Sequence, residues 1–209
     1  MYRDGTIRKY LDDAAAGIPA PGGGSVSALA GALATTMGSM AANFTVGKKK
    51  FAAVEPQAKE LLARLDALRE QLLALMDEDV AAYGVVSGAY GMPKETPEQK
   101  SARSAKIQEA LVVAMDAPLR TMRACAEVMR VLGALVDVAN PNLLSDVGVS
   151  AVLAEAALRG AKLNVDVNLI SLTDAELVRR TRTAAGDLAG GASRLLAEVM
   201  SKVSAGLGG

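Results

Sequence analysis

The sequence has no histidine and no tryptophan, one cysteine, two phenylalanines, four tyrosines and no excess of either charge. Each shortage excludes something. With 23 basic and 23 acidic residues and 3% aromatics, little is available to hold a phosphate backbone or stack bases, so nucleic acid is not an expected partner. Without histidine, and with Cys125 alone, no metal-ligand spacing can be read, and no metal site is expected. A lone cysteine forms no disulfide within the chain, which points to a reduced, cytoplasmic setting. Scarce aromatic and β-branched runs argue against a sheet.

What remains is rich in Ala and Leu, 51% hydrophobic over 209 residues, and suits one domain with a generous helical core. No repeat or linker divides residues 1–209. The organising stretch is Pro19-Ala20-Pro21-Gly22-Gly23-Gly24-Ser25 and the uncharged run that follows it to Gly47. The loop forbids regular structure, and Ser25 is a good N-cap for a helix. Val26, Leu29, Leu33, Met37, Met40 and Phe44 share one face of that helix; Ala28, Gly31, Thr35, Gly38 and Ala42 line another. Both faces want partners, so the helix is expected to run through the middle of an assembly, its small residues serving a core or a dimer seam. Its composition is too weakly apolar for a membrane span, and residues 1–17 lack the apolar centre of a signal peptide, so no membrane partner is expected.

Other elements follow in order. A short amphipathic helix is predicted over Thr6–Ala16. A long one runs from Glu55-Pro56 to about Ala89, with its stripe at Leu61, Leu65, Leu68, Leu72, Leu75, Asp79, Ala82 and Val86. Asp79 is the one charge on that line, whereas Asp77, about 200° around the helix, reads as solvated. Thr96 caps a helix starting at Pro97 and stopping near Ala117; Pro118 opens another to about Ala139. Ser145-Asp146 starts a helix with Asp146, Ser150, Asn164 and Asn168 on a polar line. Thr173-Asp174-Ala175-Glu176 starts the last one, which Gly190-Gly191 could loosen. The expected fold is an all-α single-domain bundle of six or seven helices with a long buried central helix, forming a homodimer.

The segments Pro19–Val26, Gly47–Phe51, Asp77–Tyr83, Pro93–Glu98, Ser145-Asp146 and Asn164–Leu169, in that order over nearly the whole chain, resemble the cyclodeaminase domain of formiminotransferase-cyclodeaminase and its free-standing relatives, the methenyltetrahydrofolate cyclohydrolases. The resemblance implies a dimerising helical bundle acting on one-carbon tetrahydrofolates. Free-standing form favours hydrolysis of 5,10-methenyltetrahydrofolate to 10-formyltetrahydrofolate; ring closure of 5-formiminotetrahydrofolate with loss of ammonia stays open. The substrate supplies its own electrophile, so no cofactor beyond it is expected. With histidine absent, a carboxylate of raised pKa is the natural proton carrier, and Asp79 fits, with Lys48 beside it; capping of a neighbouring helix is the structural alternative. Gly22, Gly23, Gly24 and Ser25 offer backbone N–H groups to an anion, with Pro21 of the same loop also expected at the substrate. Lys49 offers a cation to the folate carboxylates, and Asp146, Asn164 and Asn168 offer partners for a pterin edge. The glycines could equally serve a tight turn, the lysines an exposed helix end, and Ser145 or Asp146 a helix cap. A catalytically inert scaffold dimer, or a folate carrier, would carry the same stripes.

Overall fold

The computed structural model describes residues 1–208, all α-helix, 3-10 turn and connecting loop. Six α-helices are present among the described residues: α1 Ile7–Ala15, α2 Gly23–Asn43, α3 Glu55–Tyr90, α4 Pro97–Leu135, α5 Leu144–Ile170 and α6 Ala175–Leu207. Helices α2, α3, α4 and α5 form a four-cornered bundle in that order, with α2 also touching α4 across the middle. α6 lies in the groove between α4 and α5, and the 3-10 turn Tyr2–Asp4 fastens the N-terminal segment to α3. The core is filled by Leu65, Leu72, Leu75, Met122, Met129, Leu132, Leu135 and Leu158.

Local chemistry explains most boundaries. Thr6 caps α1 by accepting Lys9 N–H at 3.2 Å, and Asp174 caps α6 by accepting Leu177 N–H at 2.9 Å. Thr96 and Gln99 form a reciprocal capping box with Pro97 in the first turn of α4. Three expectations need correction. Pro118 does not split α4; it is buried mid-helix, and packing against neighbouring helices carries the helix through it. α5 starts at Leu144 with no side-chain cap, so neither Ser145 nor Asp146 caps it. The glycine pair 190–191 lies inside an unbroken α6.

The largest correction concerns α2. Its small face is the one buried, and it is filled by the same chain: a methyl on Gly31 would sit 2.8 Å from Cys125 Sγ and one on Gly38 3.0 Å from Leu132 and Leu65. The large residues point the other way. Val26 (45% exposed), Leu33 (48%), Met40 (39%) and Phe44 (48%) are open, with Leu29 and Met37 half-buried beside them. Helix α5 runs antiparallel to α2: Ser150 Oγ donates to Ala34 O at 2.6 Å, and the Asn164 side chain lies against Gly23. α5 also exposes an apolar line, Val149, Val152, Leu163, Val167 and Ile170. On α1, Ile7 and Leu11 are exposed and only Tyr10 is buried.

Gly31→Val is expected to overpack the α2–α3–α4 contact by about 1–3 kcal/mol, lowering the melting temperature by roughly 2–10 °C in a thermal melt. Burial pushes the Cys125 thiol up to about 12, so the folded protein should not react with a thiol reagent near neutral pH until it is unfolded.

Candidate active site

The glycine loop gives α2 no side-chain cap: Gly22 is the N-cap residue, and Ser25 sits inside the first turn. The missing cap comes from another helix. Asp79 Oδ2 accepts Ser25 N–H at 2.9 Å, across 54 residues of chain. A negative group at a helix N-terminus is favoured by the macrodipole as well as by the hydrogen bond. The approach requires a flat surface, since a methyl on Gly24 would overlap Asp79 Oδ1. Thus Gly24 and Asp79 specify one another.

Burial raises the Asp79 carboxyl above the ordinary aspartate value, with the Ser25 N–H acting in the opposite direction. No lysine or arginine forms an ion pair with it among the described residues. Asp79 is half-buried, neither sealed nor out in bulk water. Tyr10, buried and hydrogen-bonded through its hydroxyl to Ser25 Oγ at 2.9 Å, completes the inner wall. Its phenol pKa is also raised, mainly by burial, so at neutral pH it remains protonated. Tyr10 was missing from the sequence-derived site, which held no residue of α1. The Gly23 and Gly24 amides precede the first intrahelical bond, Val26 N–H to Gly22 O at 3.0 Å, and so have no acceptor within the helix.

Asn164 and Asn168 do reach this end of the bundle, on α5. Their amide nitrogens donate to the Gly160 and Asn164 carbonyls, both at 2.9 Å, which leaves the amide oxygens as the groups able to accept. Pro21 is buried under the loop. Lys48, Lys49 and Asp146 do not belong to this cluster within one chain. The lysines follow the opposite end of α2, about 30 Å away by helical rise, and Asp146 is at the far end of α5. Placing Lys48 beside Asp79 in the same chain is therefore wrong: their sequence segments meet helices whose length keeps them apart.

Asp77 also departs from its expected place. Its side chain is only 15% exposed; Oδ1 accepts Tyr2 N–H at 2.7 Å, Arg3 Nε lies 3.8 Å from Oδ2, and Oδ2 has no hydrogen-bond partner. The N-terminal segment, invisible to a helical wheel of α3, covers it. A groove of about 520 Å³ lies beside it, and a second of about 560 Å³ between α4 and α6 is lined by Arg123, Arg130 and Arg194; Asp79 lines neither. Among the described residues, no three His, Cys, Asp or Glu side chains are grouped to hold a metal.

The formiminotransferase-cyclodeaminase family profile matches residues 6–187. A methenyltetrahydrofolate cyclohydrolase from Methylorubrum extorquens is 44% identical over 83% of this chain and 84% of its own length. The formimidoyltransferase-cyclodeaminase of Rattus norvegicus is 33% identical over 86% of this chain, which spans only 33% of that longer protein. In three dimensions, a formiminotetrahydrofolate cyclodeaminase from Thermotoga maritima superposes with a TM-score of 0.89, covering 98% of each chain at 26% identity.

A carboxyl harder to ionise when folded than when unfolded favours the folded state below its unfolded pKa and loses that advantage as pH rises through its folded value. Denaturant titrations from about pH 3 to about pH 7 should therefore show wild type losing stability relative to Asp79→Asn. An unchanged difference would mean that burial does not perturb this group.

Proposed function

Since the chain belongs to the formiminotransferase-cyclodeaminase family, we propose that it is a one-carbon tetrahydrofolate enzyme that hydrolyses 5,10-methenyltetrahydrofolate to 10-formyltetrahydrofolate. The observation that carries the reaction type is the match, at 44% identity over 83% of this chain, to a cyclohydrolase of similar length. The site geometry agrees with the chemistry. The carbon between N5 and N10 is an amidinium carbon and is its own electrophile, so the reaction balances with water alone.

In this reading Asp79 takes a proton from the attacking water as oxygen bonds to the bridging carbon. It returns that proton to N5 as the carbon–N5 bond breaks, and the carbinol hydroxyl releases its proton to solvent as the formyl carbonyl forms. Raised by burial and restrained by the Ser25 amide, the carboxyl is set to exchange protons closer to neutral pH than a solvated aspartate. Its negative charge also faces the cationic ring. Asn164, Asn168 and the Gly23 and Gly24 amides supply a polar edge for the pterin or a folate carboxylate.

The structural match to a free-standing cyclodeaminase favours a second reading at the same carboxyl. There N10 adds to the protonated formimino carbon of 5-formiminotetrahydrofolate, and Asp79 takes the N10 proton and passes it to the amine. Ammonia leaves as the carbon–nitrogen bond breaks and the methenyl cation forms. Chain length does not separate the two reactions, because relatives of this length carry both names.

The open α2–α5 face supports a homodimer. Val26, Leu33, Met40 and Phe44 of α2 lie beside Val149, Val152 and Leu163 of the adjacent, antiparallel α5. A two-helix apolar surface of this extent is unusual for a monomer and suits a self-complementary two-fold contact.

Two experiments test the proposal. Mixing the protein with 5,10-methenyltetrahydrofolate should give decay of its near-ultraviolet absorbance faster than the spontaneous rate. Asp79→Asn should fold and lose about 10²–10⁴-fold in turnover; near-normal turnover would remove the carboxyl from the mechanism. Separately, Leu33→Asp should convert the dimer to a helical monomer in light scattering.

A further inference from the structure

We infer that the Asp79 site is completed by Lys48, Lys49 and Lys50 of a second copy of this chain, packed antiparallel across the α2–α5 face, where they take the anionic carboxylates of the folate tail. This rests on the folate reading and deepens it. A single chain leaves two unmatched clusters. At one end of α2 is Asp79, without a cation partner, beside the free amides of the glycine loop. At the other end are three exposed lysines in succession without an acid: Glu55, the next carboxylate in the chain, is held by Lys59 at 2.7 Å, while Lys50 rests over the Phe51 ring. About 30 Å of helix separates these ends, so no side-chain movement joins them within one protomer.

The stripe between them has a symmetry of its own. Val26, Leu29, Leu33, Met37 and Met40 are spaced three, four, four and three, the same read from either end. A two-fold axis crossing α2 at Leu33 therefore sets Val26 against the partner's Met40 and Leu29 against the partner's Met37. Carried outward, the same register sets the glycine loop against the partner's Phe44, with the three lysines just beyond. The neighbouring α5 residues at that end, Leu163 and Val167, are exposed and supply an apolar surface for Phe44 to cover. A two-fold axis along α2 would instead run the helices parallel, aligning their dipoles and bringing two unpaired lysine triplets together. Like charges oppose that arrangement, and opposed dipoles favour the antiparallel one.

Complementation between protomers tests this. Asp79→Asn carries one affinity tag and Lys48→Ala/Lys49→Ala/Lys50→Ala another; the two are co-expressed and the mixed dimer is isolated through both tags. Each variant homodimer should lose roughly tenfold or more in kcat/KM on 5,10-methenyltetrahydrofolate. The mixed dimer should recover about half the wild-type turnover, because one of its two sites joins an intact Asp79 to intact lysines from the other protomer. A mixed dimer no better than the mean of the two homodimers, with wild type active, would overturn the shared site while leaving the folate reading standing. Wild type inert on both the methenyl and formimino substrates would remove both. Independently of lysine replacement, Val26→Cys/Met40→Cys should give a covalent dimer on oxidation and Val26→Cys alone should not; the reverse result would show parallel packing and overturn the proposal.

Discussion

The carboxylate of Asp79 at the N-terminus of α2 is the contact on which the surrounding geometry depends. A helix that starts in three glycines has no side chain of its own to satisfy its first amides, and here the acceptor comes from the middle of α3. That one hydrogen bond sets α3 against α2, demands the flat surface of Gly24, and holds the carboxyl where water is scarce. Desolvation and the helix amide act on its proton affinity in opposite directions, desolvation being the larger. The contact that caps α2 is therefore also the one that keeps this carboxyl out of bulk water.

The second constraint is the width of α2. Its inner face carries Ala28, Gly31, Thr35, Gly38 and Ala42, so three neighbouring helices approach its backbone closely and their leucines fill the space that its own side chains leave. The large residues are consequently displaced to the outside, where α5 adds a second exposed apolar line. Packing within the chain and the apolar face left open outside it thus have one origin. It also places the polar clusters at the two ends of a long apolar strip.

Much of the helical pattern was legible from spacing. The α3 stripe from Leu61 to Ala82 is buried as its three-four alternation requires, and Asp79 stands out on that line because no other charge does. The Thr96 capping box is equally local and equally visible. Pro118 misled because tertiary packing offsets the lost hydrogen bond, which no local rule records. Asp77 misled because its cover comes from Tyr2 and Arg3, 75 and 74 residues away. Ser25 was placed at the helix boundary, although its amide, not its side chain, makes the capping contact.

Periodicity, glycine placement and capping residues by themselves determined that this chain is a helical bundle, where most helices begin, and that one carboxylate would lie among leucines. These are properties of neighbours three or four residues apart, and they are written in the order of the letters. Only the tertiary structure decided which face of α2 is buried, that Tyr10 and the glycine loop meet Asp79, and that Lys48 and Asp146 stand at the opposite end. Those outcomes depend on the lengths of rigid helices and on which neighbours fill a gap, and a helical repeat carries no information about either.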